Sequence, residues 1–374
     1  MTSWDVVVAG AGPAGSMAAR MLARSGASVL LVERQAFPRW KVCGSCLSRG
    51  AVATLAAAGL GDIMRAAGGV PLERIELFAG RRRAALPLRG GGVLSREALD
   101  TALVREAAAA GATFLSETRV DIGDVTPDAR RVRLVGRERD EVVEARVVVD
   151  ATGLGSPSEG DDVEVAAGSR VGLGAVVAGS SYDIGVGELH MVVGRTGYVG
   201  LVRLEDGTLD VGAAVDPDAL RLSGPAATVA GILHDAGRPA LDGLLVHGWR
   251  GTPSLTRRRA RPGGERLFRV GDAAEYVEPF TGEGICWALA AGLAVAGPAL
   301  EGARAWDARL AQGWTTYQRR TSASARRLCS MLAWALRRPR LIAAGVATLA
   351  QAPALASPLL RRAATPPRAY AGQR

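Results

Sequence analysis

Apolar residues come in two patterns along this chain, and the change between them predicts its first elements. Residues 4–9 hold the unbroken run Val6-Val-Val-Ala9, which predicts a strand buried on both faces. A Gly-rich turn follows, then helical spacing from Pro13 to Ser25, then a second buried strand from Ser28 to Glu33. This is a βαβ unit at the start of the chain. Helical spacing returns over Ser48–Ala58 and Ser95–Ala110, where Leu99, Leu103 and Ala107 share a face. Leu72–Leu88 predicts strands between those helices. Residues 112–150 alternate and end in Val147-Val-Val-Asp150-Ala-Thr-Gly153, a strand stopping in a turn. From Arg170 to Val215 short β runs alternate with Gly and Asp turns. Leu267–Asp272 predicts another buried strand, followed by a helix over about Gly282–Ala299, and the remainder is helical with Pro interruptions.

Composition narrows the class. With 374 residues and 48% hydrophobic content, the chain can bury a large core and excludes disorder, while four Cys exclude a disulfide scaffold. The start of the chain predicts no leader peptide, and free cysteines suggest a cytoplasmic location, with the inner membrane face as a peripheral alternative. The net charge of +9 is unevenly spread. Residues 308–374 contain twelve Arg and no Asp or Glu, so the other residues, with 34 basic and 37 acidic groups, carry −3. Of the 46 basic residues 45 are Arg, and the single Lys is Lys41. No aromatic platform interleaves the terminal Arg residues, which argues against nucleic acid. Leu328, Leu332, Ala335 and Leu336 share a helical face there. Such a face can cap a pocket, with peripheral contact to an anionic membrane as an addition.

Gly10-Ala-Gly12-Pro13-Ala14-Gly15 fits G-x-G-x-x-G between a strand and a helix, the arrangement that holds a dinucleotide pyrophosphate on a helix N-terminus. Glu33 closes the second strand 18 residues after Gly15, where a carboxylate accepts from ribose hydroxyls, and Arg34 follows it. A second signal runs Gly271-Asp272-Ala-Ala-Glu-Tyr-Val-Glu-Pro279-Phe-Thr-Gly282-Glu283-Gly284-Ile285. Asp272 suits the ribityl hydroxyls, Pro279 stiffens the approach, and Gly282, Gly284 and Ile285 open a helix whose positive end suits a flavin edge. About 260 residues separate Gly10 from Gly271, so one FAD spans both only if the chain folds back.

This second stretch is similar to the geranylgeranyl reductase family, within the broader group of aromatic hydroxylases and flavin halogenases. Phe37-Pro-Arg-Trp-Lys41-Val-Cys43-Gly-Ser-Cys46-Leu-Ser48 resembles that family's P-R-x-K-x-C-G-G-x-L-S, and Leu94-Ser-Arg96-Glu-Ala-Leu-Asp100 resembles a helix start whose Arg contacts FAD. The resemblance covers Val6 to about Ala299. It implies an α/β (α+β) fold: a discontinuous Rossmann-like FAD-binding domain (1–70, 95–175 and 262–307) interleaved with a substrate-binding β-sheet domain (71–94 and 176–261). Residues 308–374 are expected to form a basic helical C-terminal segment. The resemblance implies FAD bound by Gly10, Gly12, Pro13, Ala14, Gly15, Glu33, Arg34, Lys41, Arg96, Gly153, Asp272, Pro279, Gly282, Gly284 and Ile285.

The family's aromatic P-x-x-Y-x-W-x-F-P stretch aligns with Arg195–Arg203, where Tyr198 is kept but Gly200 and Val202 replace Trp and Phe, leaving more room. W-x-W-x-I-P is absent and Lys41 lies in another motif, which argues against halogenation. There is no second G-x-G-x-x-G, so reducing equivalents come from transient NAD(P)H, a flavin reductase or a small electron carrier. The leading expectation is hydride transfer to a C=C bond of a small hydrophobic, isoprenoid- or polyketide-like substrate, with Cys43, Tyr198 or Glu283 supplying the proton. A flavin monooxygenase and an electron carrier are the alternatives. Cys43 and Cys46 form C-x-x-C, which is open to a redox pair, a substrate-facing Cys43 or a packing role. Cys286 and Cys329 are isolated, and four zinc ligands are not at hand. His190, His234 and His247 sit in no motif.

Overall fold

The computed structural model describes residues 2–155, 163–278, 280 and 282–357. Its helices are α1 (Pro13–Arg24), α2 (Arg49–Ala57), α3 (Ile63–Ala66), α4 (Arg96–Ala109), α5 (Pro217–Asp235), α6 (Gly284–Arg304), α7 (Ala308–Leu336) and α8 (Pro339–Gln351). An eight-stranded sheet orders Gly263–Gly264, Leu267–Arg269, Asp140–Asp150, Ser3–Ala9, Val29–Val32 and Thr113–Leu115, with Thr118–Val125 and Arg130–Gly136 joined to it as an antiparallel meander. The run from Leu267–Arg269 to Thr113–Leu115 is parallel.

The first strand is continuously apolar because both of its faces are covered. Val6 and Val8 pack with α1 and α6 in one cluster, while Val7 and Ala9 cluster with Val120 and Val132 of the meander and Val143 of the strand it joins. A strand covered on one face alone would alternate. Helix α6 is the one helix among the described residues long and apolar enough to cross a membrane, yet most of it is buried in this core. Its close approach to α1 depends on Gly292, where a Cβ would stand 2.2 Å from the Ala14 carbonyl oxygen.

A second eight-stranded sheet orders Leu244–Ser254, Val171–Ala178, Leu209–Val215, Gly197–Arg203, Glu188–Val193, Val70–Ala79, Arg82–Val93 and Cys46–Leu47. Its outer face is covered by α5 through Val229, Ile232 and Leu233. On strand Gly197–Arg203 the side chains alternate: Val199 and Leu201 meet α5, while Tyr198 and Val202 belong to inward clusters. Three short strands, Val163–Val165, Arg257–Arg259 and Glu275–Tyr276, form a separate antiparallel ribbon.

Domain edges differ from the expected ones in three places. Strand Val171–Ala178 joins the second sheet although it starts within the segment 95–175 expected in the first domain. Cys46–Leu47 also joins the second sheet, because it pairs with Val93 and Gly92. The segment from residue 308, expected as a separate basic helical segment, is partly built into the first domain. Leu310 and Trp314 are buried in the first core, and the Trp314 indole donates to the Arg269 carbonyl at 2.9 Å. Helix α5, with Gly224 at φ 75° inside it, was not anticipated.

Gly292→Ala places a methyl against backbone that cannot swing aside. It should destabilise the protein by about 1–3 kcal/mol, the usual range for an overpacked core, and weaken flavin retention. Thermal unfolding and the flavin-to-protein absorbance ratio read both effects.

Candidate active site

One open cavity of about 370 Å³ runs between the two sheets. It is lined at one end by Gly12, Pro13, Ala14, Glu33 and Arg34, and in the middle by Lys41, Cys43, Arg96, Gly153 and Asp272. Gly282, Gly284 and Ile285 at the start of α6 also line it. Both Gly-rich signals therefore meet in one space. Gly10 and Gly15 lie beneath it: a Cβ on Gly15 would stand 1.8 Å from the Gly10 carbonyl oxygen, so only glycine lets the turn close. Pro279 lies outside the described residues.

The nucleotide end is built from buried charges. Glu33 accepts from the backbone N–H groups of Ala11 and Gln35, each at 3.1 Å, which ties the Gly-rich turn to the end of the second strand. Arg39 lies 3.4 Å from Glu33 and 3.1 Å from Asp100. Arg96 makes a two-pronged contact to Asp100 at 3.0 and 2.7 Å. The guanidinium groups of both arginines come within 4 Å of the space beside Gly12. Arg39 Nη1 is buried and has no hydrogen-bond partner among the described residues. A buried guanidinium with an unused donor fits an anionic group held on the N-terminus of α1, as a dinucleotide pyrophosphate would be. Sequence reasoning passed over Arg39, because in a chain with 45 Arg no single one stands out.

Lys41 and Asp272 face one another across the middle of the cavity. Burial and the neighbouring Arg96 charge pull the Lys41 ammonium below its ordinary range, against the Asp272 charge. Burial likewise raises the Asp272 carboxyl, with Lys41 and Arg96 opposing.

The far end is apolar. Leu189, Met191, Tyr198, Gly200, Gly212, Ala214, Leu255 and Phe280 line it. Gly174, Gly212 and Gly200 stand in register on three adjacent strands. Into this trench the Trp40–Gly44 segment descends. A Cβ on Gly174 would meet Val42 at 3.0 Å, and one on Gly212 would meet the Gly44 Cα at 3.2 Å and the Cys43 carbonyl oxygen at 3.3 Å. Cys43 is thereby set where the polar and apolar ends join, close enough to Arg96 for the two side chains to interact electrostatically. Tyr198 is 5% exposed, packs edge-on against Phe280 at 5.0 Å, and its hydroxyl has no partner among the described residues. Burial and the Glu278 charge push that phenol well above its ordinary range, so it stays protonated.

Glu283 is not brought to the cavity. It is buried beside Ser48 and Cys286, and burial raises its carboxyl to about 8 against a hydrogen bond from Ser48. Cys46 is a free thiol, as is Cys43. Burial, then the neighbouring Cys43, raises the Cys46 thiol above its usual value, so it is a poor thiolate. Beneath the same loop lies Asp210, another group that sequence reasoning missed. It is 2% exposed, and burial raises its carboxyl to about 7 against a hydrogen bond from Ser45.

An FAD binding domain family matches residues 3–176. Digeranylgeranylglycerophospholipid reductase of Methanosarcina acetivorans is 26% identical over 342 residues, covering 85% of this chain and 80% of that protein. Menaquinone reductase of Mycobacterium tuberculosis is 56% identical over 59 residues, which span 16% of this chain and only 14% of that protein. Among solved structures, a flavin-dependent brominase superposes with a TM-score of 0.78 at 17% identity, covering 97% of this chain and 94% of that one. A geranylgeranyl bacteriochlorophyll reductase-like protein from Thermoplasma acidophilum gives 0.77 at 20% identity, covering 94% and 91%.

Two predictions follow from the buried charges. Arg39→Ala removes the guanidinium beside Gly12 and should weaken FAD binding by roughly tenfold to a hundredfold, the range for a charge-assisted hydrogen bond. Titration of the apoprotein with FAD reads the loss. Asp210 has a folded value of about 7 against an ordinary 3.8, so folding takes up a proton. Its contribution is complete below pH 3.8 and is lost as the pH rises through 7. Asp210→Asn should therefore flatten the fall in melting temperature between pH 5 and pH 8, and an unchanged slope would remove Asp210 from that role. The chain is a flavoprotein with an N-terminal FAD-binding domain, folded like the flavin halogenases and reductases and similar along most of its length to geranylgeranyl-type reductases.

Proposed function

We propose that this protein is an FAD-dependent reductase of a C=C bond in a small hydrophobic, isoprenoid- or polyketide-like substrate. The observation that carries the reading is the continuity of the cavity. A charged cradle for a dinucleotide opens directly into an apolar chamber, and Cys43 sits at the junction. Bound FAD supplies a two-electron hydride carrier. In this reading Gly12, Glu33, Arg39 and Arg96 hold its phosphates and ribose, Asp272 its ribityl chain, and the N-terminus of α6 the electron-rich edge of the ring.

Hydride addition to one carbon of a double bond leaves its neighbour needing a proton. Cys43 holds one at Sγ, with the Arg96 contact fixing the side chain. Tyr198, kept as a neutral phenol by burial, is the second donor on the apolar side. Glu283 has no part in this step, since it does not reach the cavity. Leu189, Met191 and Leu255 exclude water from the chamber, and Gly200 in place of a bulky side chain leaves width for a branched or cyclic substrate. The name of the Methanosarcina relative, a digeranylgeranylglycerophospholipid reductase, supports the substrate class. Electrons reach the cofactor from NAD(P)H docking transiently, from a flavin reductase or from a small electron carrier.

The reading is tested on chemically reduced protein under anaerobic conditions. A prenylated alkene should reoxidise the flavin and gain two hydrogens. Reoxidation by oxygen alone, with a product that has gained oxygen, would overturn the reductase assignment in favour of a monooxygenase. Cys43→Ser should keep its flavin but lose on the order of a hundredfold in turnover, as expected for loss of a proton donor, whereas Cys46→Ser should be near wild type. Wild-type turnover by Cys43→Ser would leave Tyr198 as the donor, which Tyr198→Phe would then expose.

A further inference from the structure

Helices α7 and α8 have two unlike faces. Inward, Leu336, Ile342, Ala343, Val346 and Leu349 pack into the cluster that contains Met191, Tyr198, Ala214 and Leu255, so the hairpin closes the apolar end of the cavity from outside. Two arginines fasten it to the body: Arg326 to Glu275 at 2.8 Å, and Arg337 to Asp216 at 3.4 Å and to the Gly168 carbonyl.

Outward, the same hairpin shows large apolar side chains to solvent. Met331 is 64% and Trp334 55% exposed, and Leu341 and Leu355 are also exposed. Arg327, Met331, Trp334 and Arg338 are spaced four, three and four residues apart, which puts them in one stripe along α7 and its end. The Arg338 guanidinium lies 3.7 Å from the centroid of the Trp334 ring. Arg327, Arg338 and Arg340 are exposed and make no ion pair among the described residues. No acidic residue occurs anywhere from residue 308 to the end of the chain. An apolar strip bounded by unneutralised arginines, with an indole at its centre, is complementary to a surface that is anionic at its face and apolar beneath.

We propose that the stripe Arg327–Met331–Trp334–Arg338, continued by Arg340 and Leu341, docks the protein on an anionic lipid bilayer. The arginines pair with lipid phosphates, and Met331, Trp334 and Leu341 enter the acyl boundary. The apolar chamber then lies directly behind the bound face, separated from lipid by one helical layer. Docking stands on the stripe alone and does not depend on which reaction the flavin performs.

The test is cosedimentation of the FAD-loaded full chain with phosphatidylglycerol vesicles and with phosphatidylcholine vesicles. Binding to the anionic vesicles, weakened by salt and weak or absent on the neutral ones, is expected. Met331→Glu and Trp334→Ser should each cut the bound fraction about tenfold while flavin content and melting temperature stay unchanged, since both positions are exposed. Charge reversal at Arg327, Arg338 and Arg340 together should abolish binding. The proposal is overturned by absence of binding at low salt, by equal binding to neutral vesicles, or by variants that bind as well as the parent. It is also overturned if light scattering shows a dimer that Trp334→Ser dissolves while vesicles are ignored, because the stripe then covers a second copy of the chain.

Discussion

Everything at the cofactor end rests on how closely α1 and α6 approach. Ala14 is pressed from two directions. Gly292 lets α6 lie against its carbonyl, and a Cβ on Gly271 would stand 3.2 Å from its methyl. Those two glycines belong to the last third of the chain, whereas Ala14 belongs to the first turn of the first helix. A larger residue at either point would part the helices and separate Gly12 from Asp272. The FAD cradle is therefore less a property of either Gly-rich signal than of the contact between them.

The charges gathered around that contact need a ligand to make sense of them. Glu33, Asp100 and Asp272 face Arg39, Arg96 and Lys41, three of each sign, most of them buried. Buried ion pairs seldom repay their own desolvation, so such a group adds little stability. It does supply fixed, oriented donors, and the spare Nη1 of Arg39 shows that the set is not saturated from within. The burial of the Lys41 ammonium points the same way, since an incoming anion would oppose the lowering that burial and Arg96 impose on it.

How much of this was legible depended on whether a signal was local. The βαβ unit, α4 and the strand before α6 were readable because burial on both faces, or on one stripe, writes itself directly into residue order. Helix α5 was not, since Gly224 and Pro225 interrupt its period. Trp314 was missed as core because its segment was read through its excess of Arg and the apolar face around Leu332, not through the residues nearer its start. The loop around Cys43 could be matched to a family by its residues, but not the glycine trench that receives it, which is spread over three strands that only the fold aligns. Glu283 failed in the other direction: its position beside Gly282 and Gly284 suggested the cavity, but the first turn of α6 points it toward Ser48.

The order of strands in the first sheet has a consequence for how the chain must be made. Ser3–Ala9 can pair with Val29–Val32 as soon as both have left the ribosome, and Asp140–Asp150 can join them later. The surface of α1 that α6 covers, and the sheet edge that Leu267–Arg269 occupies, stay bare until roughly residue 300 has emerged. Trp314 then seals the layer. A growing chain thus carries an apolar, half-built nucleotide fold through most of its synthesis.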